Sequence, residues 1–563
     1  MKLLKRLAAW LFYSLFVVAD ILLILLVWFI IAVTVKIPEP ENTEILKQER
    51  KEVSPDFYTL NNSWIKKSET GFWEIYVEGD GFERGVTEGK LGKELAELQE
   101  IAFVNQIRKM IPSEKMLNYL KFFIAFFNRN LDQYVTDEYK EEIYGESLFA
   151  SDEFDFIAPK YYRMLNYHAA HDIGHALQDK NMTVGCTSFG VWGDKTDDNS
   201  LLIGRNFDFY VGEEFAETKL INFVKPATGY KLMMVSWAGM IGTVSGMNEK
   251  GLTVTINASK SEIPTAAATP ISLVAREILQ YAKNIQEAVE IAKKRKTFVS
   301  ESILIGSLAD NRTVTIEKTP SRTELFESPE KDQIICSNHY RGKSFEKEKV
   351  NMENIAKSSS GYRMELLTQL LDKKENITVK DAAEILRNRE GMDGKDIGMG
   401  NEKSMNQLIA HHSVIFKPAK LQVWVSTNPF QLGQFVCYDL NKVFAEAPGL
   451  KTKKELYEKE LNIPADSFLY SSDYKKFESY KKMREAFRFA EKNELSPGLS
   501  KATIDLFIQC NPEYFETYFI LGNYFRNKKD NKEALKYYTF ALEKEITTVQ
   551  DREAIEKEIQ MLK

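Results

Sequence analysis

The sequence predicts an α+β protein set between an apolar N-terminal helix and an all-α tail. Three observations lead there. Between Thr183 and about Phe444, short β-rich runs alternate with helical stretches. Leu7 to Val35 is apolar apart from one acid, Asp20. After Ala445 the strand-like runs stop and charged helical sequence takes over. At 563 residues the chain is too long for one ordinary core, and with 44% hydrophobic residues it can fill two or three. A formal charge of −6, with Lys and Arg interleaved among Asp and Glu, leaves no basic face for nucleic acid.

Residues 1–6 carry Lys2, Lys5 and Arg6, and the apolar run follows within residues 7–36. A bilayer core takes about 20 apolar residues, so this run spans it. A cleavable leader would end at a small-residue site, whereas Ile21 to Val33 stays apolar past Ala19. The run therefore reads as an uncleaved anchor. The basic residues before it favour a cytoplasmic N-terminus, which puts the rest of the chain on the non-cytoplasmic side.

Residues 37–185 read as a helical pro-segment, because Leu91, Leu95, Leu98, Ile101 and Val104 recur at helical spacing and Met116 to Phe127 is aromatic-rich. In residues 186–445 the runs Ser200–Gly204, Lys231–Ser236, Gly251–Ile256, Val299–Ile305 and Arg312–Ile316 predict strands. Pro270 to Lys294 and Thr378 to Asn388 predict helices, giving a layered unit. In residues 446–563, Tyr518, Leu521, Gly522, Phe525, Ala534, Tyr538 and Ala541 fall at the spacing of one tetratricopeptide-like repeat, 515–548. One repeat is too few to stand alone, so this one packs on its neighbours, with binding of a protein partner as the second reading.

Cys186, Cys336, Cys437 and Cys510 form no Cys-x-x-Cys pair and no zinc spacing with His. A lone cysteine is most often a small buried hydrophobe. Around Cys186, however, stand Asn181-Met-Thr-Val-Gly-Cys-Thr-Ser, then Gly204-Arg-Asn-Phe-Asp208, Gly246 to Asn257, Ile335-Cys-Ser-Asn338, His412 to Pro418 and Leu421 to Ser426. In these motifs the chain resembles the acyl-CoA:isopenicillin N acyltransferase family of cysteine N-terminal nucleophile hydrolases, and more distantly the choloylglycine hydrolases and penicillin V acylases. The resemblance covers roughly Thr183 to Phe444.

It implies a four-layer αββα sandwich and self-cleavage of the Gly185–Cys186 bond, which makes Cys186 a new N-terminus. A freed α-amine titrates near 7.7–8.0 and can act as base for its own thiol. The thiolate then forms an acyl-enzyme that water or an amine resolves. By position, the resemblance gives Asp208 the task of holding that amine and Arg205 that of biasing the thiol toward thiolate. It assigns Asn257 and Asn338 to the oxyanion hole and to orienting the amine, and Arg363 to a late Ser/Arg element. Turn or salt-bridge roles are the plain alternatives for these residues. No cofactor is implied. His168, His171 and His175 share one helical face that suits a metal, though local packing is the stronger reading; His411 and His412 need no catalytic part in this chemistry.

The sequence thus points to a membrane-anchored amidohydrolase acting on a small acylated substrate. Acyl transfer to an amine is the near alternative. A catalytically inactive scaffold working through its tail is the alternative of another class.

Overall fold

The computed structural model describes residues 2–111, 113–177, 185–262, 267–492 and 499–563. Seventeen strands among them form two sheets. They are β1 (Lys51–Ser54), β2 (Phe57–Leu60), β3 (Ser63–Lys67), β4 (Trp73–Gly79), β5 (Thr187–Val191), β6 (Leu202–Phe207), β7 (Leu220–Pro226), β8 (Leu232–Ser236) and β9 (Ser245–Asn248). The later strands are β10 (Leu252–Ala258), β11 (Glu301–Ser307), β12 (Arg312–Lys318), β13 (Thr323–Phe326), β14 (Gln333–Cys336), β15 (His412–Lys417), β16 (Gln422–Ser426) and β17 (Phe435–Asp439).

The larger sheet runs β1-β2-β3-β4-β7-β8-β9-β10-β11-β12-β13 and the smaller β14-β5-β6-β15-β16-β17. Every ladder is antiparallel except β4 on β7. Strand alternation sorts side chains into layers. On β10, Val254 and Ile256 face helices Ile271–Tyr281 and Ile285–Lys294, in a core with Val274 and Ile278. Ile203, Phe223, Met233, Leu304, Val414 and Val425 fill the space between the sheets. Phe189, Leu202, Ile335 and Ile415 pack against Leu366, Ala382 and Leu386 of helices Ser360–Asp372 and Val379–Leu386. The order is helix, sheet, sheet, helix.

Two expectations are corrected. Residues 37–185 are not helical throughout, since Lys51 to Gly79 supply β1–β4 of the larger sheet. Their period-two runs, such as Ser63-Trp-Ile and Trp73-Glu-Ile-Tyr-Val, are four to seven residues long, and their anchoring partner β7 lies beyond the whole helical stretch. The unit also does not end at 445: Tyr457 pairs with Tyr438 and Ile463 with Phe435, so the strip to about 471 still belongs to the sheet layers.

The helical part of the pro-segment is held by helix Gly81–Leu91 lying backbone to backbone on helix Asp137–Ser147. A Cβ on Gly81, Gly85 or Gly145 would meet main-chain atoms of the facing helix. Beyond residue 471, helices Ser472–Lys492, Lys501–Cys510, Phe515–Asn527, Asn531–Leu542 and Val549–Leu562 share a core that includes Phe507, Leu521, Tyr538 and Ile555. Gly522 lies against the Tyr538 ring with no room for a side chain.

At the other end, helix Lys2–Val33 contains an exposed apolar stretch, Trp10–Val33, long enough to cross a membrane. Its Trp28 and Phe29 rings lie 6.0 and 6.1 Å from Phe126 of helix Glu114–Phe127.

Candidate active site

Strand parity gathers the candidate residues. Ser188 and Gly190 of β5 point between the sheets, where a Cβ on Gly190 would strike Thr313 of β12. By the same period Cys186, one step before β5, faces that space. On β6 the inward residues are Ile203, Arg205 and Phe207; on β10 they are Thr253, Thr255 and Asn257. Ser188 is paired in register with Arg205, and its hydroxyl donates to Asn257 Oδ1 at 2.9 Å, tying the two sheets beside the cysteine.

Cys186 is buried, 1% exposed. Arg205 Nη2 lies 3.8 Å from Sγ, and the main-chain oxygen of Asp208 lies 4.0 Å from it. Arg205 is fixed by donating to Val244 O at 3.0 Å, to Ser245 Oγ at 2.5 Å and to Ile256 O. The Phe207 ring is 4.3 Å below its guanidinium. Burial pushes the thiol up to about 11 against the opposing pull of Arg205. In the uncut chain, burial therefore outweighs the guanidinium expected to favour the thiolate.

The Asp208 carboxyl is fully buried, and neither oxygen has a hydrogen-bond partner among the described residues. Burial raises it to about 8, while Arg363 and Arg205 pull it down. Arg363 is 2% exposed and donates to Asn338 Oδ1 at 2.6 Å, Glu402 O at 2.7 Å, Ser359 Oγ at 2.8 Å and Thr187 Oγ1 at 3.2 Å. Asn257 Nδ2 donates to Cys336 O at 3.0 Å, and Asn338 Nδ2 to Ala258 O at 2.9 Å. In the intact chain both amides thus brace β10 against β14 and the turn after it.

Gly185 is held on both sides. Its N–H donates to Asp208 O at 3.0 Å, and its carbonyl accepts from Gln407 Nε2 at 2.7 Å. Gln407, which sequence reasoning missed, lies far along the chain with no local motif to mark it. Also unforeseen is a polar chain behind Arg205. Ser245 Oγ pairs with His412 Nε2 at 2.9 Å, and His412 Nδ1 with His411 Nδ1 at 2.8 Å. Burial holds both imidazoles well below their usual range. Lys219 Nζ is buried without a hydrogen-bond partner among the described residues, and burial lowers it to about 7.

His168 is pinned structurally: Nδ1 meets Met164 O at 2.8 Å, and Nε2 accepts from the Ile241 N–H at 3.1 Å. Both nitrogens are taken, and burial lowers the ring to about 4. The side chains of His171 and His175 lie outside the described residues. Among the described residues no group of three His, Cys, Asp or Glu is arranged to hold a metal, and all four cysteines are free and buried.

One aromatic layer from Arg205 is a small cleft of about 60 Å³ between the pro-segment helices and the sheets. Phe103 and Tyr167 line it from the pro-segment; Phe209, Phe215, Trp237 and Met240 line it from the other side. Phe209 stacks on Phe207 at 5.6 Å and follows Asp208 directly, so the wall of the cleft is continuous with the cysteine site.

Residues 195–429 match the family of acyl-coenzyme A:6-aminopenicillanic acid acyl-transferases. The match includes Arg205, Asp208, Asn257, Asn338, Arg363 and Gln407 and begins after Cys186. An uncharacterized protein of Archaeoglobus fulgidus is 26% identical over 396 residues, 63% of this chain and 63% of that protein. The chain thus spans just under two thirds of that relative's length. Among solved structures, the Caenorhabditis elegans ortholog of N-acylethanolamine-hydrolyzing acid amidase is 15% identical, with 41% of this chain and 93% of that one covered and a TM-score of 0.31. A mutant of conjugated bile acid hydrolase from Clostridium perfringens is 14% identical, covering 46% and 93%, with a TM-score of 0.32. Penicillin V acylase from Agrobacterium tumefaciens is 13% identical, covering 46% and 87%, with a TM-score of 0.30.

Proposed function

We propose that the chain is a membrane-anchored N-terminal nucleophile enzyme that cuts its own Gly185–Cys186 bond and then hydrolyses N-acyl amides through a thioester on Cys186. One observation carries this reading: the buried Asp208 carboxyl stands without a hydrogen-bond partner among the described residues, in the structure that also sets Arg205 on the Cys186 sulfur. A buried carboxyl left without a partner is costly, and a new ammonium on Cys186 would satisfy it. Once freed, that amine has the pKa of a neutral-pH base and takes the thiol proton. Arg205 then faces the thiolate. Asn338 spends one of its two amide hydrogens on Ala258 O, which leaves the other for a substrate oxyanion, while Arg363 fixes the amide's orientation through Oδ1.

The aromatic cleft suits an apolar acyl group, with the scissile amide reaching past Phe209 to Cys186. Residues 7–36 hold the enzyme at the membrane with its catalytic part on the non-cytoplasmic side. The tetratricopeptide-like tail serves as a structural cap or binds a partner.

The test is the mass and N-terminal sequence of the purified chain beside its Cys186→Ala variant. Two fragments meeting at Gly185 and Cys186, both absent in the variant, support the proposal. A folded but uncut wild-type chain shifts the weight to an anchored scaffold. The family match favours acyl transfer as the second reading. Adding a primary amine to the assay separates the two, because a transferase partitions acyl groups to the amine and a hydrolase releases acid.

A further inference from the structure

The resemblance marks Gly185–Cys186 as the bond to be cut but supplies no group for the carbonyl that must take up negative charge. The asparagines assigned to an oxyanion hole donate elsewhere in the intact chain, to Cys336 O and Ala258 O. The side chain that meets the Gly185 carbonyl is Gln407, with Nε2 2.7 Å from the oxygen. The nitrogen assignment follows from chemistry, since the opposite flip would set two acceptors face to face.

Gln407 is fully buried, and the two residues before it are pinned. Met405 O accepts from Asn206 Nδ2 at 2.9 Å, and the Asn406 N–H donates to Asn388 O at 2.7 Å. Leu408 adopts φ +54°, a conformation that a leucine holds only where its surroundings impose it. Gly185 has no side chain because the Gln407 carboxamide occupies the position where a Cβ would stand.

We propose that Gln407 is a catalytic residue of self-cleavage, donating from Nε2 to the oxyanion that forms on Gly185. This rests on the self-processing reading above. The Cys186 thiol gives up its proton and sulfur adds to the Gly185 carbonyl carbon, whose oxygen takes the π electron pair opposite Gln407. Collapse breaks the bond from that carbon to the Cys186 nitrogen, which collects the proton the thiol released. Gly185 is now a thioester on Sγ. Water hydrolyses it, leaving a carboxylate on Gly185 and a free thiol beside the new amine. A donor already 2.7 Å from the ground-state oxygen needs little movement to follow it into the tetrahedral state.

The experiment follows cleavage of the full-length chain, pulse-labelled during synthesis in the presence of detergent, for wild type, C186A, Q407L, Q407E and G185A. The Q407L chain should be cut about 100-fold or more slowly, the usual loss for one oxyanion donor. Q407E keeps the volume and loses the donor when ionised, so its cleavage should recover as pH falls and the carboxyl regains a proton. G185A should also be slow, and in two further variants, Q407A and the double variant G185A/Q407A, the added alanine at 185 should cost little more, since the carboxamide it displaces is already gone. Cleavage of folded Q407L or G185A at the wild-type rate, with wild type cut and C186A intact, overturns the role of Gln407 alone. An uncut wild-type chain overturns self-processing and this role together.

Discussion

Cys186 sits where burial makes a thiol hard to ionise, and the proposed self-cleavage would place a base beside it. Cys186→Ala should therefore remove both self-cleavage and hydrolysis, whereas Cys186→Ser should leave slow cleavage, because an alkoxide is harder to form than a thiolate; gel mobility over hours reads both. Asp208 gives a pH signature of its own. Its carboxyl titrates near 8 in the folded uncut chain and near 4 when unfolded. Between those values the folded chain binds more protons, so stability falls as pH rises and levels off above about 8. Asp208→Asn in the uncut Cys186→Ala background should lose that slope and be the more stable protein at pH 8, with the difference fading toward pH 4. Denaturant titrations across pH test it. The grouping of Cys186, Arg205, Asp208, Asn257 and Asn338 could be drawn from the sequence because each stands in or next to a recognisable strand run. Gln407 was not, since its meeting with Gly185 is made by folding and by no local pattern.

Among elements, the two glycine-lined helices carry the clearest prediction. Gly85→Ala would drive a methyl group into the Glu142 carbonyl, and the helix Gly81–Leu91 must lift off its partner. We expect a loss of about 1–3 kcal/mol, seen as a lower melting temperature of the purified chain. Sequence reasoning passed over the spacing of Gly81, Gly85 and Gly89, because the facing helix contributes backbone rather than a matching motif. Strands β6, β8, β10 and β12 were readable from buried β-branched and aliphatic runs such as Leu252-Thr-Val-Thr-Ile256. β1–β4 escaped because four short strands gain their stability from β7, a pairing that no window on either segment contains.

Across the whole molecule, one segment that reaches the site also meets the tail. Asn511 exchanges hydrogen bonds with the Met399 main chain at 2.8 and 3.0 Å, and Glu545 pairs with Lys403 at 2.6 Å and Lys395 at 3.0 Å. Between these contacts Glu402 offers its carbonyl to Arg363. Asn511→Ala leaves two main-chain groups of Met399 without partners, which costs about 1–3 kcal/mol. It should also slow substrate turnover, since Arg363 loses its fixed acceptor; an assay on detergent-solubilised enzyme checks the coupling.

The parallel ladder of β4 on β7 joins chain from before the proposed cut to chain after it, within one sheet. Cutting at Gly185 leaves that ladder intact while changing the molecularity of folding. The uncut chain refolds as a single molecule, at a rate independent of its concentration. The cut one must bring two separate polypeptides together again, and its rate of recovery after denaturation should rise with protein concentration. Cleavage would thereby make the enzyme kinetically one-way: assembled once as a single chain, held afterwards by a sheet that dilute fragments rebuild slowly.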